Sequence, residues 1–299
     1  VQNIDKLRRA RVLTAMVTPF DETLSLNMPM AVRLARHLLA NGSDGVVLSG
    51  TTGESPTLSD DEKQRLFCGV VEALGGQGVV LAGTGHYATA GAIRLAKLAE
   101  AAQVDGLLVI APYYNRPDQS GLYEHFKAIA ESVDLPIVLY NHPGRTGVHL
   151  SPETVGRLAT LANIAGIKDS SGSLENVTAY RLVTPPDFLI YSGDDPLTLP
   201  VLAVGGHGVI SVSAHIAGRA IQAMVQHWLQ GDIQFAQKCH DSLFVLSKAL
   251  FSAPSPAPVK HALRWRGLDT GGVRLPLTGL DPATVAQLEA VLTSSGILD

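Results

Sequence analysis

Apolar and polar positions along this chain fall into two alternating patterns. Short apolar runs occupy residues 13–20, 45–50, 79–83, 106–111, 136–141, 164–168, 188–192 and 208–212. Each is bounded by turn-forming residues, and the spacing leaves room for one helix and two loops before the next run begins. That pattern predicts strands joined by crossover helices, and so a parallel sheet. The intervening segments carry helix signals. Asn27 and Pro29 precede Ala31, Leu34, Ala35, Leu38 and Leu39, a stripe at i, i+3, i+4, i+7 and i+8 that Gly42 closes. Ser59-Asp60-Asp61-Glu62 reads as a capping box, and Ser151-Pro152 places proline at the first helical position after a serine cap.

Eight strand–helix units predict a (β/α)8 TIM barrel over residues 1–230. An open doubly wound sheet is the alternative. No Gly-x-Gly-x-x-Gly turn follows the first strand, which disfavours a dinucleotide fold. Residues 231–299 read as a C-terminal helical appendage. It comprises a helix over 232–250, a proline-rich stretch at 254–258, a helix beginning near Val259, and a last helix capped by Asp281-Pro282. Trp228 and Trp265, at or within this appendage, are expected to be packing residues.

Composition narrows the class of protein. A length of 299 residues, 46% hydrophobic content and a formal charge of −4 describe an ordinary globular chain. No basic tract suggests a nucleic-acid partner, and the longest apolar stretches are too short to span a bilayer. Two cysteines, Cys68 and Cys239, suit a reducing compartment, and no signal-peptide core follows Lys6. The expectation is a cytoplasmic protein. Ten histidines are scattered without ligand spacing, so no metal is expected. A Gly-x-Ser-x-Gly elbow is also missing.

Chemistry in a barrel sits at the carboxyl ends of strands. There, Lys168 follows Ile164-Ala165-Gly166-Ile167 and precedes Asp169-Ser170-Ser171-Gly172. Apolar neighbours disfavour an ammonium, and imine-forming lysines arise in that way. A lone strand-end lysine is more often a solvated side chain, but this one keeps informative company. The second strand delivers Gly50-Thr51-Thr52-Gly53-Glu54, whose amides and hydroxyls suit a small anion. The fourth ends in Pro112-Tyr113-Tyr114-Asn115-Arg116-Pro117, and the fifth in Tyr140-Asn141-His142-Pro143-Gly144-Arg145-Thr146-Gly147. The seventh gives Ser192-Gly193-Asp194, and the eighth Gly208-Val209-Ile210-Ser211. An amine, phenols, hydroxyls and an arginine suit carbonyl chemistry through an imine, with a phenol moving protons. His142 and His215 read as loop or packing residues.

On these motifs the chain resembles the dihydrodipicolinate synthase / N-acetylneuraminate lyase family of class I aldolases, over residues 13–298. Gly50-Thr51-Thr52-Gly53-Glu54, Tyr140-Asn141-x-Pro143-x-Arg145-Thr146-Gly147 and Gly166-Ile167-Lys168-Asp169-Ser170 carry the resemblance, in order and on the expected strands. The Tyr113-Tyr114 segment and Arg145 favour the synthase branch. The resemblance implies that Lys168 forms an iminium with pyruvate and that Tyr140 is the acid/base. Tyr140 would be linked through Thr51 to a neighbouring subunit's Tyr114. Thr52 and the amides of Thr51 and Thr52 would hold the pyruvate carboxylate. The Ile210 carbonyl and Gly193 would face the keto acid, and Arg145 would meet the second substrate's carboxylate. The implied reaction is lyase-type condensation of pyruvate with aspartate semialdehyde, in lysine and diaminopimelate biosynthesis. No cofactor is implied, because the protonated imine is the electron sink, and the implied assembly is a homotetramer.

Two alternatives stay open: a pyruvate-dependent aldolase or dehydratase acting on another 2-oxo acid or sugar acid, and a non-catalytic keto-acid-binding barrel. Arg145 with Tyr113 and Tyr114 favours the synthase over the first. A binder needs no proton relay, which argues against the second. Ser255 and His215 stand where the synthase branch usually has asparagine. Lysine-inhibited members hold the amino acid beside the tyrosine matching Tyr113, helped by a glutamate and an asparagine. Here those positions are Gly91 and Tyr87, so weak or absent inhibition by lysine is expected.

Overall fold

A computed structural model describes residues 3–295; the outermost residues of both expected domains lie outside this range. Eight parallel strands close into a barrel in sequence order. They are β1 (Val12–Ala15), β2 (Gly45–Leu48), β3 (Val79–Gly83), β4 (Gly106–Ile110), β5 (Ile137–Asn141), β6 (Ile164–Asp169), β7 (Leu189–Ser192) and β8 (Gly208–Ser211). β1 closes the ring by pairing with both β2 and β8. The expected (β/α)8 barrel is therefore present, with further helices following the last strand. No helix among the described residues is long and apolar enough to cross a membrane.

Apolar side chains divide into two layers because strand neighbours alternate between faces. Leu13, Val47, Leu81, Leu108, Val138 and Tyr191 fill the barrel interior. Val46, Val80, Leu107, Leu139, Ile167 and Ile190 face the surrounding helices. The helix Ile4–Arg9 closes the amino-terminal end, where the buried Tyr191 hydroxyl donates to the carbonyls of Leu7 (3.2 Å) and Ala10 (2.9 Å).

The helix signals correspond to real caps. Asn27 accepts from the Met30 amide at the start of helix Met28–Ala40, and Ser59 with Glu62 forms the capping box of helix Asp60–Leu74. Ser151 caps Pro152–Leu158 and Asp281 caps Pro282–Ser294. Helix Ala257–Trp265 begins two residues before Val259. Trp228 packs against the core, whereas Trp265 is 40% exposed.

The first apolar run is a strand only as far as Ala15. Residues 16–20 leave the strand, and Phe20 is buried because the carboxyl-terminal segment covers it. The Phe20 amide donates to the Thr270 carbonyl (3.0 Å), and the Phe20 ring lies beneath the side chains of Lys260 and Arg274.

His215 ties the first and last strands together. Its Nε2 accepts from the Val17 amide (3.1 Å), so Nδ1 carries the proton and donates to the Val212 carbonyl (2.8 Å). Burial pushes this imidazole from 6.5 down to about 4. Between those values the unfolded chain binds a proton that the folded chain does not, so stability rises with pH. The contribution is complete above 6.5 and is lost as pH falls towards 4; for this ring it amounts to roughly 3 kcal/mol. Urea unfolding is expected to show lower stability at about pH 4.5 than at about pH 7.5. His215→Asn, which cannot titrate, should shrink the difference. Equal shrinkage failing to appear, with the full difference retained, contradicts this assignment.

Candidate active site

The decisive local feature is an extra residue in β6. Ile137 pairs with Ile164, but Val138 pairs with Gly166, leaving Ala165 as a bulge. Ile164 faces the helices; without the bulge its parity would turn Lys168 outward as well. With the bulge, Lys168 pairs with Tyr140 on one side and Tyr191 on the other, both interior residues. Lys168 and Tyr140 are each 6% exposed, and the Lys168 amine stands 4.3 Å from the Tyr140 ring centroid. Neither the amine nor the phenol hydrogen-bonds to another described residue. A buried amine with no carboxylate partner is not a structural ion pair, and it remains available for chemistry.

The residues that follow the pair lock it in place. Asn141 donates to Asp169 Oδ1 (2.7 Å) and accepts from the Leu150 amide (3.0 Å). Asp169 Oδ2 accepts from the Ser171 hydroxyl (2.6 Å). Ends of β5 and β6 are thereby fastened one residue beyond Tyr140 and Lys168. Gly193 lies against the lysine stem: a Cβ there would approach Lys168 Cε to 2.8 Å. A side chain there would have to displace both the Ser170 hydroxyl and the lysine stem.

The loop after β2 carries Thr51 and Thr52 between two non-glycine residues in left-handed conformation, Ser49 (φ 52°) and Glu54 (φ 54°). Such backbone persists where surroundings over-determine it. The Thr18 hydroxyl donates to the Gly53 carbonyl (2.6 Å). Glu54, fully buried, accepts from Lys260 Nζ (2.7 Å) and the Arg274 amide (2.9 Å). Burial pulls the Lys260 amine below the ordinary lysine range, against the opposing pull of Glu54. The carboxyl-terminal segment thus clamps the threonine loop.

A cavity of about 550 Å³ opens at the carboxyl ends of the strands, lined by Thr51, Tyr113, Tyr140 and Arg145 among others. Arg145 is exposed on the single turn Pro143–Thr146. Beside it, burial, with Arg145 and Lys168 nearby, pushes the His142 imidazole down to about 4, so that ring is neutral at ordinary pH. Thr52 and Ile210 are buried. Tyr114 stands apart: it is 92% exposed, with φ 74°. The structure therefore gathers Lys168, Tyr140, Thr51, Thr52, Arg145, Gly193 and Ile210 at one end of the barrel, while Tyr114 points away from its own chain.

Residue patterns did not single out Asn141, Asp169, Glu54 or Lys260 as positioning groups. The available signal was positional for the first two, since an amide and a carboxylate each directly follow a candidate catalytic residue on neighbouring strands.

The model of the dihydrodipicolinate synthetase family matches residues 8–295. The 4-hydroxy-tetrahydrodipicolinate synthase of Desulforudis audaxviator is 51% identical over 288 residues, covering 96% of this chain and 98% of its own. The dihydrodipicolinate synthase of Cyanidioschyzon merolae, solved with lysine bound, superposes with a TM-score of 0.95 at 43% identity, covering 97% of this chain and 99% of that one. A structure described as the first monomeric dihydrodipicolinate synthase variant superposes with a TM-score of 0.95 at 39% identity and 98% coverage of both chains. With a family model spanning nearly every described residue and half of the sequence shared with a curated synthase, this chain belongs to the dihydrodipicolinate synthetase family.

Proposed function

We infer that this chain condenses pyruvate with aspartate semialdehyde to give 4-hydroxy-tetrahydrodipicolinate. One observation supports the chemistry above all others: a buried, unpaired lysine amine in register with a tyrosine at the mouth of the barrel. The Lys168 amine attacks the pyruvate ketone, and loss of water leaves an iminium. The iminium withdraws electrons from the adjacent methyl group, which loses a proton and becomes the nucleophilic carbon of an enamine. That carbon adds to the semialdehyde's carbonyl carbon, whose oxygen takes up a proton. Cyclisation through the substrate's amino group then displaces Lys168. Tyr140 moves protons in these steps. Thr52 and the amides of Thr51 and Thr52 hold the pyruvate carboxylate, beside Gly193 and the Ile210 carbonyl. Arg145 presents a fork of N–H donors to the second carboxylate.

Tyr114 enters through assembly. A large aromatic residue that is almost fully exposed and held at positive φ suits a contact outside its own chain. We infer that Thr51 connects Tyr140 to the partner subunit's Tyr114, making a dimer the least active unit and a tetramer of two such dimers the cytoplasmic form. Mixing inactive Tyr114→Phe and Lys168→Ala subunits is then expected to restore part of the activity, because one site of a mixed dimer is intact. No recovery after verified subunit exchange contradicts the shared relay.

The reaction itself is tested by product formation from pyruvate plus aspartate semialdehyde, against pyruvate plus a panel of sugar aldehydes. Preference for the semialdehyde is expected. Preference for a sugar aldehyde would turn the reading to an aldolase of sugar acids.

A further inference from the structure

The condensation steps leave His142 without a task. It lies between Tyr140 and Arg145 in the chain, at the corner where β5 gives way to the turn Pro143–Thr146. Its main chain is fixed: the His142 carbonyl accepts from the amides of Arg145 (2.9 Å) and Thr146 (3.0 Å) and from the Thr146 hydroxyl (3.1 Å). The ring is held as well. It meets the Tyr140 ring edge-on, with centroids 6.0 Å apart, and a Cβ at Gly144 would touch its Cε1 at 3.5 Å and its Nδ1 at 3.6 Å. The charges of Arg145 and Lys168 both reach it.

A packing histidine engages both nitrogens, as His215 does with the Val17 amide and the Val212 carbonyl. His142 does not. Neither of its ring nitrogens has a hydrogen-bond partner among the described residues; Nδ1 is buried, whereas Nε2 is not. The ring's own main-chain carbonyl, which only Nδ1 can approach, favours the proton on that nitrogen. Nε2 is then left with a free lone pair. Burial, Arg145 and Lys168 all oppose a charge on the ring, so Nε2 accepts hydrogen bonds at ordinary pH.

Aspartate semialdehyde carries an ammonium on the carbon that bears its carboxylate. A guanidinium suits the carboxylate, but the ammonium needs an acceptor for its N–H groups. Lys168 and Arg145 would repel it in the empty site. Both charges are offset when the aldehyde binds, because the enamine nitrogen on Lys168 is neutral and Arg145 faces the carboxylate.

We propose that His142 Nε2 accepts a hydrogen bond from the ammonium of the second substrate, so that His142 and Arg145 together select an α-amino-acid aldehyde over aldehydes without the amino group. This assignment rests on the condensation reading above. His142→Phe keeps a ring beside Tyr140 but offers no acceptor. Steady-state kinetics should show KM for aspartate semialdehyde raised about tenfold or more, as loss of a hydrogen bond to a charged group implies, with KM for pyruvate unchanged. Succinic semialdehyde, the same aldehyde without the amino group, serves as competitor, and its inhibition constant should be the same in parent and variant. His142→Gln, whose side-chain carbonyl can take the place of Nε2, should stay close to the parent. An unchanged aspartate semialdehyde KM in His142→Phe overturns the proposal. Equal weakening of both aldehydes, a matching rise in pyruvate KM, or a His142→Gln protein as impaired as His142→Phe does so too. A parent protein that does not turn over aspartate semialdehyde at all overturns the condensation reading itself, and this assignment with it.

Discussion

Lys168→Met is expected to abolish condensation, lowering kcat by several orders of magnitude while leaving the protein folded. Methionine matches the length of the lysine stem and its contact with Gly193, but it offers no nucleophile. Because Lys168 has no ion-pair partner among the described residues and is 6% exposed, replacing it strands no carboxylate. Stability should be unchanged or higher. Lys168→Arg should be equally inactive, since a guanidinium does not give up its proton to become a nucleophile. Measurable turnover in either variant would mean that the amine is not the covalent centre. Loss of folding in Lys168→Met would mean that the residue is a structural element.

Lys260→Met should have the opposite profile. Lys260 and Glu54 form an ion pair whose side chains are 3% and 0% exposed, across 206 residues of chain. Removing one partner leaves a charge buried and uncompensated, which costs about 3–5 kcal/mol. The Arg274 amide still reaches Glu54, but one amide does not replace an ammonium. Urea unfolding is expected to show the loss in Lys260→Met and recovery of much of it when Glu54→Gln is added, because the pair is then removed as a unit. Since Glu54 ends the loop that carries Thr51 and Thr52, the single variant should also raise KM for pyruvate more than it lowers kcat. A Lys260→Met protein as stable as the parent would show that the pair is solvated or dispensable.

These two lysines show how much was legible in the residues and how much was not. Both follow from local signals only in part. Eight apolar runs between capped helices were enough for the barrel, because period and spacing are local properties and Asn27, Ser59, Ser151 and Asp281 mark the starts of their helices. Position at the end of a strand was enough to make Lys168 a candidate. Its inward direction depends on the bulge at Ala165, and a one-residue slip in pairing leaves no mark in composition. The strand reading ran on to Phe20 because burial under a distant segment selects the same side chain as a sheet interior. The Glu54–Lys260 clamp joins residues that no periodicity connects. The roles of Thr51, Tyr114 and Arg145 came from family resemblance; the geometry adds that Tyr114 faces away from its own chain.

The central claim is that Lys168 carries the substrate covalently, and borohydride reduction in the presence of pyruvate tests it most directly. An imine is reducible, whereas an ammonium–carboxylate contact is not. Peptide mapping should find the reduced adduct on Lys168 and no adduct in Lys168→Met. The informative competitor is Lys63, whose amine burial lowers below the ordinary lysine range and which lies on the wall of the cavity that Tyr140 lines. An adduct on Lys63, on any other lysine, or on none would contradict the account.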